Sequence, residues 1–384
     1  MKVPYWRLSS FYFFYFATLG GFLPYWSLYL EQLQFNAMEI GELSALMVAT
    51  KVIAPNLWGW IADHTGKSLS IIRMLSFFAA VIFAGFFHHQ SYLWIAMITI
   101  GFSFFWNAAL PQFEAATLFH LKNEPQRYSQ VRLWGSVGFI LSVLAIGRFI
   151  DLYSIEYLPE WIIAFLIMIW LVSLVTPEAK TFSQGAGSVG LLQIVRRPDI
   201  IAFFVVYSLL QVSHGPYYVF YSIYLHQFDY ASTTIGLLWA LGVGAEVLLF
   251  VFMKQILKCI SLRNILLISI VLGIGRWLLI AFFVDSFSLM LLAQLLHAAT
   301  FGASHVVAIH LLHNYFGIHH QGKGQALYSS LTFGLGGMLG SLASGYFWDL
   351  YGASFVFSMA SGCCFLALII AFIWVGRENQ TLIG

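Results

Sequence analysis

Apolar residues run through this chain in blocks of about twenty, separated by short polar stretches. A helix needs about 20 mostly apolar residues to cross the hydrocarbon core of a bilayer. On that criterion the pattern predicts spanning helices over 8–30, 40–61, 70–87, 92–120, 131–150 and 161–176. Six more follow over 199–225, 234–253, 264–284, 287–312, 325–348 and 353–375. Between the two sets lies the longest polar connector, 177–198, with Pro177, Glu178, Lys180, Gln184, Gly185, Gly187, Arg196, Arg197 and Pro198. It reads as a flexible linker. The expected organisation is therefore a six-helix bundle over 1–176, a cytoplasmic linker over 177–198 and a second bundle over 199–384. The first apolar run lacks a small-residue cleavage site and continues into Pro24-Tyr25-Trp26, so it is expected to be a retained helix rather than a signal peptide.

The polar stretches carry an orientation signal. With the N-terminus placed in the cytoplasm, fifteen of the 18 Lys and Arg residues fall on the cytoplasmic side, Lys2, Lys180 and Arg377 among them. Arg148 alone falls on the opposite side, and Lys51 and Arg276 lie inside spans. Positive charge is retained on the cytoplasmic face of membrane proteins, so both termini are expected inside. A single missed helix would scramble every later loop, so the bias also supports the span count.

The two halves repeat one another. Residues 24–53 align without gaps to 219–248, with eleven of thirty positions identical, including Ser27/Ser222, Tyr29/Tyr224, Gln32/Gln227 and Gly41/Gly236. Residues 138–153 align to 336–351 with nine of sixteen identical, ending in GRFIDLY and GYFWDLY. The offsets, 195 and 198, keep the elements in the same order. Parallel six-helix halves of this kind enclose a substrate near the bilayer midplane.

Composition narrows the class. Hydrophobic residues make up 60% and charged residues 9%, against about 25% charged in a soluble protein. A soluble fold cannot hide that much apolar surface. The net charge of +2 argues against nucleic acid. Cys259, Cys363 and Cys364 have neither metal-ligand spacing nor a disulfide framework, and no cofactor is indicated. Aromatic residues reach 18%. Most are expected at the lipid or the interface, while Tyr221 and Tyr224 near the outer mouth are candidates to line a cavity.

Between the second and third spans stands Gly59-Trp-Ile-Ala-Asp63-His-Thr-Gly66-Lys67, which resembles the major-facilitator loop signature GxxxDxxG[RK]. Gly59 permits close helix approach, Asp63 is placed to accept from a neighbouring helix N-terminus, Gly66 permits a tight turn, and Lys67 keeps the loop cytosolic. The matching loop of the second half, Lys254 to Arg263, lacks the pattern. GRFID and GYFWDLYG carry partial copies at the far ends of the fifth and eleventh spans.

Ionisable residues deep in a membrane cost about 2.5–3.5 kcal/mol each on insertion scales and are functional candidates by default. Here they are Lys51, Glu114, Glu246 and Arg276, with Arg132 one turn inside the fifth span. Lys51 and Glu246 are equivalent under the 195-residue offset, which suggests a charged interface between the halves. Glu114 and Arg132 lie on consecutive antiparallel spans joined by a short loop, so they can meet, either as a substrate site or as a structural ion pair. His297 and His305 are eight residues apart and share a face. Asn107, His214 and His310 are further polar candidates, and a core role is the bland alternative for each.

Several segments together resemble one family. SQVRLWGSVGF (129–139), GLLWALGVGAEV (236–247), LLISIVLGIGRW (266–277) and LLHAATFGASH (295–305) are similar to the phenylpropionate permeases, over nearly the whole chain. More distantly, FYFFYFATLGGFLPYWSLYL, FWNAALPQFEAA and LLHAAT resemble the lactose permease group of oligosaccharide:proton symporters. The resemblance implies a major-facilitator fold of twelve helices and proton-coupled uptake of a small organic solute, an aromatic carboxylate such as 3-phenylpropionate being favoured. It implies substrate contacts at Glu114 and Arg132 and coupling residues at Arg276 and His297. Where the lactose group has a helix 10 Glu, this chain has Thr300, which leaves Glu246 as the acid for the proton, with His305 and Lys51 beside it. The alternatives are a sugar or nucleoside symporter and a drug/proton antiporter of the same fold. The chain is expected to act as a monomer. A membrane enzyme is disfavoured, since no HExxH, catalytic carboxylate pair or metal-spaced His/Cys set occurs. A passive channel is disfavoured by the two-half repeat.

Overall fold

The computed structural model describes residues 3–122, 124–178 and 191–376. Lys2, Lys180, Gln184, Gly185, Gly187, Arg377 and the C-terminus lie outside them. Among the described residues the chain is all-helical, with twelve long helices. In the first half they are α1 (5–32), α2 (Ala37–Thr65), α3 (Ser68–Phe87), α4 (Tyr92–His120), α5 (Tyr128–Leu152) and α6 (Leu158–Val175). In the second they are α7 (Pro198–Gln227), α8 (Ser232–Cys259), α9 (Leu262–Phe282), α10 (Phe287–Gly317), α11 (320–351) and α12 (353–374). A short helix, Leu191–Val195, precedes α7. Gly317 (φ 59°) and Gly352 (φ 78°) separate α10, α11 and α12 without a loop, a left-handed backbone that a Cβ would strain.

Among the described residues, nine helical stretches are long and apolar enough to cross a membrane, the last of them holding both α11 and α12. The remaining two, α1 and α2, are less apolar for a structural reason. α1 is interrupted by a π-helical turn at Phe22–Trp26 and its tyrosines are buried. α2 carries Lys51, Pro55 and Asn56.

Within each half, close approach at small residues replaces the hydrophobic driving force that lipid cannot supply. α1 packs on α5 and α6, α4 on α2 and α3, and α7 on the α11–α12 pair. A Cβ at Gly138 would fall 2.1 Å from the Phe13 carbonyl, and one at Gly215 would fall 2.4 Å from the Gly340 backbone. The expectation that most aromatics face lipid fails for the central helices. Phe11 stacks on Phe113 at 3.6 Å, Tyr15 on Trp106 at 4.9 Å and Phe22 on Phe102 at 5.3 Å. These large flat surfaces fill the bundle core because stacked rings bury much apolar area, although the Trp106 indole N–H has no partner among the described residues.

Two seams join the halves, α2 with α11 and α5 with α8, and the sequence repeat relates them. On one, a Cβ at Gly41 would lie 2.8 Å from Gly345 Cα; on the other, a Cβ at Gly236 would lie 2.6 Å from the Val143 carbonyl and one at Gly147 2.6 Å from the Ser232 carbonyl. Each seam ends in a carboxylate at a helix N-terminus. Asp151 accepts from the Ser232 and Thr233 N–H groups at 2.8 Å, and Asp349 accepts from Met38 N–H at 3.3 Å. Such caps satisfy orphan N–H groups and oppose the helix dipole. The Tyr25 hydroxyl donates to the Val143 carbonyl at 2.6 Å and sits 3.3 Å from that of Ser232, tying α1 to both sides of one seam. This end of the molecule, the Asp151 end, is shut. Toward the opposite, Asp63 end, a long hydrogen bond, from Asn56 Nδ2 to Ser330 Oγ at 3.5 Å, crosses the α2–α11 seam.

Candidate functional site

The polar groups that the two halves turn toward each other lie between these seams. Glu114 and Arg132 meet at 3.5 Å, as antiparallel α4 and α5 require, and their side chains are 35% and 32% exposed although both lie within long spanning helices. Arg132 also lies over aromatic rings, its guanidinium carbon 4.2 Å from the Phe16 centroid and 5.4 Å from that of Tyr12. In the other half, Glu246 lies on α8 and His305 on α10, the latter 3.4 Å from the Tyr328 hydroxyl. Glu246 lies over the π-helical turn of α10, where a Cβ at Gly302 would come 2.9 Å from its Cγ.

π-Helical turns interrupt α1 at Phe22–Trp26, α10 at Ala298–Ala303 and α11 at Ser329–Gly336. Such turns concentrate at functional sites because they break the regular hydrogen-bond ladder. The α10 turn aligns His297, Phe301 and His305 as a parallel ladder, with ring centroids 5.3 and 6.2 Å apart. A small cavity of about 20 Å³ opens beside it, lined by Gln211, His214, Phe301, His305, Tyr328 and Phe333, among others. The shared face of His297 and His305 was legible from their spacing. The contribution of Gln211, Tyr328 and Phe333 was not, because no intramembrane charge or motif marks them.

Arg276 lies deep in the second bundle. It is fully buried between the rings of Tyr217 and Trp277, at 4.4 and 4.6 Å, and donates to the Ala293 carbonyl at 2.9 Å and to Thr300 at 3.3 Å. Among the described residues it forms no ion pair with Glu246. Thr300, which stands where the lactose group has an acid, is the residue that binds it. Lys51 and Glu246, equivalent by the repeat, also form no pair with each other. The α2–α11 and α5–α8 seams lie on separate flanks of the molecule, and the repeat places one residue on each.

Asn107 donates to the Met47 carbonyl at 2.9 Å and the Thr50 hydroxyl at 2.8 Å, while its buried Oδ1 has no partner among the described residues. Tyr221 and Tyr224 pack into the second bundle, bonded to Met290 sulfur at 3.9 Å and the Ala281 carbonyl at 3.3 Å. Their burial braces α7 against α10 and α9. His310 is exposed and bonds its own helix at Val306.

At the α2–α3 loop, Gly66 adopts φ 65° and closes α2 by donating its N–H to Ala62 at 2.9 Å. A Cβ at Gly59 would come within 3.2 Å of the Gln112 amide nitrogen on α4. Asp63 and Lys67 are exposed. Among the described residues no group hydrogen-bonds the Asp63 carboxylate. The N-terminus of α3 is instead capped by Glu178, which accepts from Leu69 N–H at 3.0 Å, and Arg73 ties α3 to α6 at Ser173 and Thr176.

Two repeated six-helix bundles, joined by two symmetric seams and enclosing polar groups near mid-membrane, define a secondary transporter of the major-facilitator type. The chain belongs to the MFS_1 like family, whose model matches residues 5–359. It is 26% identical over 358 residues to an Escherichia coli (strain K12) protein described as "Probable 3-phenylpropionic acid transporter", covering 91% of this chain and 92% of that one. A maltose permease of Geobacillus stearothermophilus is 23% identical over 379 residues, covering 96% and 94%. Among solved structures, nucleoside transporter NupG superposes with a TM-score of 0.84 at 20% identity, covering 97% and 98% of the two chains. The family and these relatives are transporters, not enzymes.

Proposed function

We propose that this chain imports an aromatic carboxylate such as 3-phenylpropionate across a bacterial inner membrane, driven by protons, as a monomer with both termini in the cytoplasm. The observation that carries the reading is the meeting of Glu114 and Arg132 within the spanning helices of one half, with a separate acid, Glu246, in a spanning helix of the other. A fixed cation in the gap suits an anionic solute, and a separate acid on the other half suits a proton. In this reading Glu114, Arg132 and Asn107 line the substrate region, Glu246 takes the proton, and Arg276, His297 and His305 shape its surroundings. The halves 1–176 and 199–384 rock about the seams, and Gly59, Asp63, Gly66 and Lys67 stabilise one access state. The relative described as a phenylpropionate transporter supports the substrate class.

A second reading is a sugar or nucleoside symporter, favoured by the maltose permease relative and the likeness to a nucleoside transporter. A Glu114 carboxylate suits a hydroxylated solute, since it accepts hydrogen bonds and repels an anion. A drug/proton antiporter shares the fold. Uptake of labelled 3-phenylpropionate, maltose and uridine into vesicles, with and without an imposed pH gradient, separates them. Gradient-driven accumulation of the acid alone is the expected result. Accumulation of a neutral solute alone would replace the first reading with the second.

A further inference from the structure

Lys51 is the cation in this membrane interior that has no evident structural employment. It stands at the midpoint of α2, fourteen residues from each end of Ala37–Thr65. At 1.5 Å per residue it is about 21 Å from either terminus, several times the reach of a lysine side chain, so it cannot snorkel to the headgroups. Among the described residues its ammonium has neither an ion pair nor a hydrogen bond.

Its direction follows from the helix. Ile53 and Trp60 are the most exposed large apolar residues of α2, at 62% and 60%, and mark the lipid face. Lys51 is two residues from one and nine from the other, which at 100° per residue puts it on the opposite side. On one flank of it, Val48 and Val52 pack on Gly337 and Gly334 of α11. On the other, Met47 and Thr50 receive hydrogen bonds from Asn107 of α4. Lys51 therefore faces the gap between the halves, where it is partly exposed. Beside it lies the unpartnered, buried Asn107 Oδ1. Next to Gly334 on α11, Phe333 contributes to an aromatic cluster with Phe301, His305 and Tyr328.

The other two cations of the interior are engaged. Arg132 has its charge met by Glu114 at 3.5 Å, and Arg276 is sealed between two rings, fully buried away from the gap, with Nε on Ala293 and Nη1 on Thr300 while Nη2 has no partner among the described residues. An uncompensated charge at mid-bilayer costs about 2.5–3.5 kcal/mol on insertion scales, and an anion brought into the gap offsets that cost. We infer that Lys51 holds the carboxylate of the transported solute, with its ring lying toward the aromatic cluster of α10 and α11, while the Glu114–Arg132 pair contacts the rest of the molecule without taking its charge. This inference rests on the carboxylate reading above.

Binding to the purified protein tests it, with 3-phenylpropionate and its uncharged amide, 3-phenylpropionamide, as probes. Wild type is expected to prefer the acid by about tenfold or more, the scale of one charge-assisted hydrogen bond. Lys51→Gln should abolish that preference while leaving amide affinity within about threefold, which also shows that the variant is folded. Lys51→Arg should keep most of the preference. If Lys51→Gln retains the acid-to-amide ratio and Arg132→Gln loses it, the anion sits on Arg132 and the inference is wrong, while the carboxylate reading stands. A wild type that does not distinguish the two probes overturns both, and does so before any variant is compared.

Discussion

Arg132 illustrates how much a single side chain is asked to do in a low-dielectric gap. Its guanidinium carbon lies over the Phe16 and Tyr12 rings and its Nε meets Glu114. A lysine keeps the charge but has neither the flat face for the rings nor the forked donors for the carboxylate. Arg132→Lys should cut initial uptake by at least about tenfold, in line with loss of a charged hydrogen bond. Uptake equal to wild type would reduce the residue to a passive anchor. Glu114→Gln should be mild for an acid substrate and severe for a hydroxylated one, measured as uptake of each.

Glu246 raises the question of proton coupling at the same scale. No cation pairs with it directly among the described residues, and the cation Arg132 belongs to the other half. An acid on one half and a cation on the other change their separation whenever the halves move, which is what a coupling acid needs. Glu246→Gln mimics the protonated acid. It should abolish accumulation driven by a pH gradient yet leave counterflow exchange within a few-fold of wild type. Accumulation that persists in the variant would place the proton elsewhere.

At the scale of elements, the seams behave as latches made of close helix approach and helix-end caps. Gly41 and Gly236 are related by the repeat, and each meets the opposite helix where a Cβ would fall under 3.0 Å from backbone. Gly41→Val should therefore force the Asp151 end apart and favour the state open there. Spin labels at Gln90 and Asp285, exposed loop positions of the two halves at that end, should move apart in the variant, with Cys259 and Cys363 replaced by Ser beforehand. An unchanged distance distribution would show that the seam can shift without opening. The loop at Asp63 belongs to the opposite end. If it acts by stabilising the other access state, Asp63→Asn should slow turnover while substrate affinity stays within a few-fold. A collapse of affinity with normal turnover would move the residue into the binding site.

These elements were unequally visible in the amino-acid order. The Glu114–Arg132 contact was legible because a short loop forces antiparallel neighbours together. The seams were half visible. The repeat singled out Gly41/Gly236, and the partial motif copies singled out Asp151 and Asp349, yet that these carboxylates cap helices of the other half could not be read from spacing. Arg276 and Glu246 are thirty residues apart on consecutive helices, and their spacing in sequence does not say whether they meet. Helix rotation sends the Arg into a ring sandwich and the Glu toward α10 and the gap.

For the molecule as a whole, orientation in the membrane is a separate prediction. Reporter fusions at Gln184 and Gly384 should both give a cytoplasmic signal, and an external signal at either would reverse the assignment. The twelve spans, their order, the two-fold repeat and the transporter class follow from the sequence alone. Each rests on one-dimensional quantities: the length of apolar runs, which the bilayer thickness measures, and the self-similarity of the chain. Which charges meet is decided only in the folded molecule. That depends on the rotation of each helix about its axis, on π-turns in α1, α10 and α11 that reset this rotation, and on which seam is shut. Lys51 and Glu246 show the difference. The repeat makes them equivalent, but the folded chain sets them on opposite flanks of the gap, because a pseudo-two-fold axis relates equivalent positions by rotation and does not bring them together.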